Sequence, residues 1–286
     1  MKSNGEAVVT ILVFGASGFI GTYLIDYLVR EGFNVIATDI DPSSKPFYDS
    51  KGLAFYSIDI TNKNDFLLLS NVSVDIVVHL AACQPVNISK NDNDPKKYFD
   101  VNVQGTINIL EYCKDSGINK VIYGTSHRNT QGLWDDNKFV SEDDGVCIKF
   151  NTEYTLFSIS ETAAQNLMDY YFTEYGISTV TFRFPPVYGY GPHTEIFLDG
   201  KPIKTGFQIF IDKALDSKPL EVWGDCDCGR DIVYIKDVLK AFLCAINIKN
   251  LNGLFNISSG KRLTLLEEAE TIADVFWGGE GLPNII

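Results

Sequence analysis

No run of apolar residues in this chain approaches the roughly 18 needed to cross a bilayer, so no membrane span is expected. Positive charge is scarce: 24 Lys and Arg stand against 37 Asp and Glu, a net charge of −13. Such a surface repels a free polyanion. That argues against nucleic acid or an anionic membrane as partner, and it requires any phosphate-bearing ligand to have a locally built site. No secretory signal is expected, because Met1-Lys-Ser-Asn-Gly-Glu6 leads straight into a strand-forming run. The six cysteines, Cys83, Cys113, Cys147, Cys226, Cys228 and Cys244, offer no disulfide framework. Cys226 and Cys228 are too close for an ordinary bridge and lack a second ligand pair or nearby histidine, so no metal is expected. Cys83, Cys113 and Cys244 sit in apolar contexts typical of buried thiols, and the chain reads as reduced and cytoplasmic. Repeats and low-complexity stretches are absent. What remains, 45% hydrophobic and 21% charged residues among 286, suits one large α/β domain or a domain with a modest second lobe.

The most informative stretch runs from Ile11 to Leu24. A run of β-formers from Val8 to Phe14 ends at Gly15, and Gly15, Gly18 and Gly21 lead into a helix with apolar Ile20, Leu24, Ile25 and Leu28. The first glycine lets the chain turn tightly off the strand. The second removes the Cβ that would block a pyrophosphate, and the third lets helix and strand pack closely. Free N–H groups at the helix start, among Ser17, Gly18, Phe19 and Ile20, then face the anion. The next strand, Asn34 to Asp39, places an acid 18 residues beyond Gly21, followed by Ile40. There a carboxylate can accept from an adenosine ribose, and it would repel a 2′-phosphate, so the expected cofactor is NAD rather than NADP.

Further along, a short strand from Leu53 to Ile58 closes on Asp59-Ile60, an acid and an aliphatic residue that can flank an adenine. Asp65 to Leu69 reads as a brief helix. Val74 to Ala82 is nearly unbroken in apolar residues, as a central parallel strand must be. Its small end, Leu80-Ala81-Ala82, leaves room for a cofactor, and His79 reads as structural. A helix from about 98 to 113 carries Asn102 and Gly105 at helical spacing. The strand Lys120 to Ser126 ends in two hydroxyls, Thr125 and Ser126, and residues 127–150 (Asp135-Asp136, Glu142 to Asp144) form a charged surface loop beside the site. Ser158 to Tyr175 is a long helix with Ala163, Leu167, Tyr170 and Tyr171 as its buried stripe. Ser178 to Phe184 is a strand that ends in Pro185-Pro-Val-Tyr-Gly-Tyr-Gly-Pro192.

This alternation predicts a doubly wound parallel sheet of the Rossmann type. From Phe207 a smaller set of elements is expected: a helix to Ser217, a strand from Leu220 to Gly224, a helix from Val238 to Ile246, a strand at Leu254 and a last helix from Thr264 to Trp277. Gly281 to Ile286 reads as loop. The expected division is a dinucleotide-binding domain of residues 1–184 and about 229–258, with a smaller interleaved C-terminal substrate lobe of 185–228 and 259–286.

These residues together resemble the extended short-chain dehydrogenase/reductase superfamily, in particular its NAD-dependent nucleotide-sugar epimerases and dehydratases. The markers are the glycine turn, Asp59-Ile60, His79-Leu-Ala-Ala82, Asn102-Val-x-Gly105-Thr106, Thr125-Ser126, Arg183 with Val187-Tyr-Gly189, and Arg230-Asp-x-Val-Tyr234-x-x-Asp237-Val. They occur in family order from residue 9 to residue 260. The resemblance implies a transient oxidation of a sugar hydroxyl, with hydride passing to NAD and back. It implies a cofactor site that adds Asn102, Thr125 and Pro185 to the residues above. A nucleotide-sugar site would use Ser126, His127, Pro186, Val187 and Arg230, the last meeting a diphosphate. It also implies a homodimer that pairs the helices near 98–113 and 158–175.

The family's base is a tyrosine, with a lysine four residues later on the same helix face that lowers its pKa and holds the nicotinamide ribose. Here those positions hold Phe157 and Glu161. Phenylalanine has no proton to exchange, and glutamate would raise a neighbouring phenol's pKa. Ser126 survives at the serine position. Tyr154, one turn earlier, and His127 could substitute, although Tyr154 reads as a packing residue and His127 as a loop residue. Pro185 and Pro186 occupy the region of a family asparagine, and the last tens of residues of the substrate lobe are expected to be truncated. Two readings remain. One is an epimerase or dehydratase with an altered acid–base group; the other is an NAD-binding pseudoenzyme serving as sensor or partner subunit.

Overall fold

The computed structural model describes residues 8–85, 94–134, 138–190, 195–198, 201–280 and 284–286. The apolar runs between Val8 and Phe184 that read as strands become parallel strands. In chain order these are β1 (Thr10–Phe14), helix α1 (Phe19–Arg30), β2 (Asn34–Asp39), the short helix α2 (Lys45–Asp49), β3 (Ala54–Ser57) and β4 (Ile76–His79). Helix α3 (Pro95–Tyr98), a π-helical stretch (Phe99–Gly105) and α4 (Thr106–Asp115) lead to β5 (Lys120–Ser126), α5 (Thr155–Tyr175) and β6 (Ser178–Phe184). After β6 come the two-residue β7 (Val187–Tyr188), a hairpin of β8 (Glu195–Leu198) and β9 (Lys201–Lys204), and α6 (Gly206–Leu215). The short β10 (Gly229–Arg230) and β11 (Val233–Tyr234) precede α7 (Ile235–Asn247), β12 (Gly253–Asn256), β13 (Leu263–Thr264) and α8 (Leu265–Phe276).

Seven strands pair in parallel in the order β3-β2-β1-β4-β5-β6-β12. The order reverses between β1 and β4, and a doubly wound sheet opens a crevice at that reversal, over the carboxyl ends of its strands. Leu24, Ile25 and Leu28 of α1 and Val238, Leu239 and Phe242 of α7 bury against one face. Ile109, Leu110 and Cys113 of α4 and Ala164, Met168 and Tyr171 of α5 bury against the other. A third, separate core joins Phe210 and Ala214 of α6 to Ala269, Ile272 and Ala273 of α8.

Several expectations change. The helix near 98–113 is continuous but takes π-helical geometry over Phe99–Gly105, and Gly105 packs so closely that an added Cβ would lie 2.5 Å from Ile60 Cδ1. Helix α5 starts at Thr155 and buries Phe157, Glu161, Ala164, Met168 and Tyr171, whereas Tyr170 is 50% exposed. The glutamate inside that stripe hides it from a reading by hydrophobicity. Leu220 to Gly224 forms no strand. Leu220 and Val222 instead bond with Asn284 and Ile286, so this end of the chain is pinned rather than loop-like. Cys113 is buried, but Cys83 is only partly so and Cys244 is exposed. The region 127–150 holds 3-10 turns at His127–Leu133 and Glu142–Asp144. Asp135, Asp136, Pro192 and residues 281–283 lie outside the described residues.

Candidate active site

The glycine turn is held from three sides. Gly15 takes φ of +80°, and a Cβ there would sit 2.6 Å from Ala81 N. The Gly15 and Ala16 N–H groups both donate to Thr38 O at 3.0 Å, and the Tyr48 hydroxyl donates to Ala16 O at 2.7 Å. At Gly21 an added Cβ would lie 2.2 Å from Gly15 O, so helix α1 must pass against the turn. Gly18 differs: its Cβ would meet Gly15 O at 3.3 Å and nothing else within 4 Å. As N-cap of α1, Gly18 supplies no side-chain acceptor to the helix's first N–H groups. The Ser17 hydroxyl is buried without a partner. Asp39 accepts from Ser17 N at 2.9 Å and from Asp41 N at 3.3 Å, which fixes its carboxylate beside the turn. The start of helix α1, an open Cα at Gly18 and a positioned acid fit a pyrophosphate joined to a ribose diol.

A cleft of about 1250 Å³ extends from this turn along the strand ends. Of the candidate site residues, Gly15, Ser17, Gly18, Phe19, Asp39, Ile40, Asp59, Ile60, Leu80, Ala81, Ala82, Pro186, Val187 and Arg230 line it. Asp59 is partly engaged, since its Oδ1 accepts from the Thr61 N–H at 2.9 Å and hydroxyl at 2.8 Å. Cys83, Gln84, Tyr188, Phe207 and Glu268 also line the cleft, and sequence reasoning missed them. Arg230 Nη2 pairs with Glu268 Oε2 at 2.9 Å, joining β10 to α8 across the cleft's far end. Only the tertiary fold brings these two together.

Other expected residues stand behind the cleft wall and not on it. Ile20 packs on the core, and Gly21 and Pro185 are buried. Asn102 is 1% exposed. Its side chain accepts from Cys83 N at 2.7 Å and donates to Cys83 O at 3.0 Å and Ser160 Oγ at 2.9 Å, tying the segment after β4 to α5. Phe157 is 5% exposed and Ser126 half-buried. The Thr125 hydroxyl donates to Glu161 Oε2 at 2.9 Å. Burial pushes the Glu161 carboxyl up to about 7. The Thr125 and Tyr123 hydroxyls and the Ser126 N–H offset part of that rise, although no well-formed hydrogen bond reaches Oε1.

His79 bonds Thr106 Oγ1 through Nε2 at 2.9 Å, and its ring lies 5.1 Å from that of Tyr123. Burial drives its pKa down to about 3, so it is a neutral core residue, as expected. His127 packs on Trp134 at 4.7 Å. Burial first, then the charges of Arg128, Arg230 and Arg183, lower its pKa to about 3. Tyr154 stands at the N-cap of α5, with the Arg128 guanidinium 3.9 Å above its ring. Among the described residues the donor atoms of Asp225, Cys226 and Asp227 lie within 4.8 Å of one another. They belong to adjacent side chains on the surface, and Cys228 is not among them.

The sequence pattern of the NAD dependent epimerase/dehydratase family matches residues 11–258. A putative UDP-glucose 4-epimerase of Methanocaldococcus jannaschii is 31% identical over 274 residues, covering 95% of this chain and 84% of that protein. A UDP-glucuronate 4-epimerase of Thermodesulfobacterium geofontis is 29% identical over 276 residues, covering 90% and 79%. Among solved structures, Thermus thermophilus UDP-glucose 4-epimerase in complex with NAD superposes with a TM-score of 0.78 at 25% identity, covering 97% of this chain and 86% of that one.

Proposed function

The chain belongs to the NAD-dependent epimerase/dehydratase family, and from that premise we propose that it binds NAD and a nucleotide-sugar in the cleft and acts as an epimerase or dehydratase through transient hydride transfer. The observation that carries this reading is the open Gly18 position between the unpartnered Ser17 hydroxyl and the fixed Asp39 carboxylate. Bound NAD supplies the hydride acceptor and donor. The chain's own residues then have to orient a sugar hydroxyl and move its proton. Phe157 cannot, and Thr125 is committed to Glu161. Ser126 orients the substrate oxygen, and Tyr154 carries the exchangeable proton under the Arg128 guanidinium. Arg230, Pro186 and Val187 line the nucleotide-sugar end, where Arg230 exchanges Glu268 for a diphosphate. The epimerase names of the relatives support a nucleotide-sugar as substrate.

A second reading, NAD binding without turnover, is favoured by the burial of Phe157 and Glu161 at the positions where the family's proton relay would stand. Incubation with UDP-, GDP- and dTDP-sugars, followed by NMR with NAD confirmed bound, separates the two. Slow conversion that Tyr154→Phe abolishes is the expected result. No product from any sugar, with activity appearing only in the Phe157→Tyr/Glu161→Lys variant, overturns it in favour of the binding reading. In the same proposal residues 1–184 and about 229–258 bind the cofactor, and 185–228 with 259–286 bind the sugar, a division that the separate core between α6 and α8 supports. The protein works as a homodimer that pairs α4 and α5, and the exposed Tyr170, Phe172 and Tyr175 on α5 support that surface. Six free cysteines support a reducing, cytoplasmic setting.

A further inference from the structure

The cleft is lined just past β4, by Leu80 to Gln84, and just past β6, by Pro186 to Gly189. Strand β5 lies between those two in the sheet, and Thr125 and Ser126 stand at its carboxyl end, between the two lined segments. The adenosine half of a dinucleotide belongs over β2, where Asp39 stands, and the nicotinamide half then extends over the β4–β5–β6 edge. Directly behind that edge, one hydrogen bond away through Thr125, is the Glu161 carboxyl. Resting on the NAD reading above, we propose that Glu161 sets the redox form of the cofactor that this chain holds, favouring the cationic oxidised nicotinamide over the neutral reduced ring.

The surroundings of Glu161 leave its charge unanswered. It is 2% exposed, and no Lys, Arg or His lies within ion-pair distance of it among the described residues. From β5 the facing groups are the neutral Thr125 and Tyr123 hydroxyls and the Ser126 N–H. Burial keeps the Tyr123 phenol protonated, and behind that ring His79 on β4 stays neutral. The π-helical stretch reaches the neighbouring residue of α5, Ser160, through Asn102, an uncharged amide. Arg183 on β6, the register partner of Thr125, is directed to Asn256 Oδ1 at 3.4 Å. Glu161 Oε1, the Tyr123 hydroxyl and His79 Nδ1 are all buried without partners.

A buried carboxyl without a counter-ion keeps its proton to higher pH than an exposed one, and a cation placed beside it eases the proton's release. An oxidised nicotinamide over the end of β5 is such a cation, so its binding drives the proton from Glu161 to solvent and leaves a carboxylate facing a positive ring. The reduced ring is uncharged and offers no such pairing. At an effective dielectric near 20, a charge pair separated by one side chain is worth about tenfold or more in affinity. Preference for NAD⁺ over NADH therefore rises with pH as the proton becomes easier to release.

The test is dialysis of the full chain against an equimolar mixture of NAD⁺ and NADH, with the bound ratio read by chromatography. Between about pH 6 and about pH 8.5 the wild-type ratio is expected to shift about tenfold toward NAD⁺. In Glu161→Gln the ratio should be nearly pH-independent, with NAD⁺ affinity about tenfold weaker at the higher pH and NADH affinity changed less than about threefold. A flat ratio in the wild type overturns the inference without recourse to any variant. An equal loss of both nucleotides in Glu161→Gln also overturns it, by making the residue structural. A wild-type chain that takes up neither form at either pH overturns the cofactor reading itself, and this inference with it.

Discussion

At Gly15 an added side chain would meet protein, whereas at Gly18 it would meet mainly the cleft. Gly15→Ala must adopt φ near +80° and displace the backbone at Ala81, so it should lose at least about 2 kcal/mol of stability in denaturant unfolding. Gly18→Ala should unfold close to wild type yet bind NAD about tenfold more weakly or worse by calorimetry, because its methyl fills the space an anion needs. Glu161 makes a separate prediction through stability. Burial raises its carboxyl from 4.5 to about 7, so the unfolded chain ionises first as pH rises, and native stability is lost across that window. Relative to wild type, Glu161→Gln should be stabilised by up to about 3 kcal/mol at pH near 8 and by little near pH 5. Equal unfolding differences at the two pH values would refute this. The three glycines, Asp39 and the Phe157/Glu161 departure were all legible in the sequence. The Arg230–Glu268 pair was not, because its members lie 38 residues apart on elements that meet only in the fold.

At the scale of elements, α8 holds the far end of the cleft. Its N-terminus carries a capping box, with Thr264 and Glu267 bonding each other's backbone, and the next residue, Glu268, reaches Arg230. Thr264→Ala should remove about 1 kcal/mol from this helix. Hydrogen exchange should then accelerate through α8 and at Arg230, with the amides of β1, β4 and β5 unchanged. A uniform acceleration would mean that α8 and the sheet unfold as one unit. Periodicity read the strands of the sheet well, because parallel strands are apolar on both faces. It misread α5, whose buried stripe includes Glu161, and it proposed a strand at Leu220 that found only the chain end as partner.

For the whole molecule, the proposed homodimer predicts a mass near twice 31.9 kDa by light scattering at micromolar concentration. Tyr170→Asp with Phe172→Asp should give a monomer with little change in unfolding midpoint, since both side chains are exposed in the single chain. A wild-type monomer at every concentration tested would discard that assembly. By itself, the sequence determined the fold class and the glycine turn that leads from β1 into α1. These depend on local rules: strand periodicity, the φ freedom of one glycine and the spacing of an acid from a helix start. The tertiary structure alone decided which of the expected site residues face the cleft, that Asn102 ties the segment after β4 to α5, and that Glu161 lies buried behind β5 with no ion-pair partner among the described residues. Burial and charge pairing are sums over neighbours that are distant in the chain. No local pattern of residues encodes them.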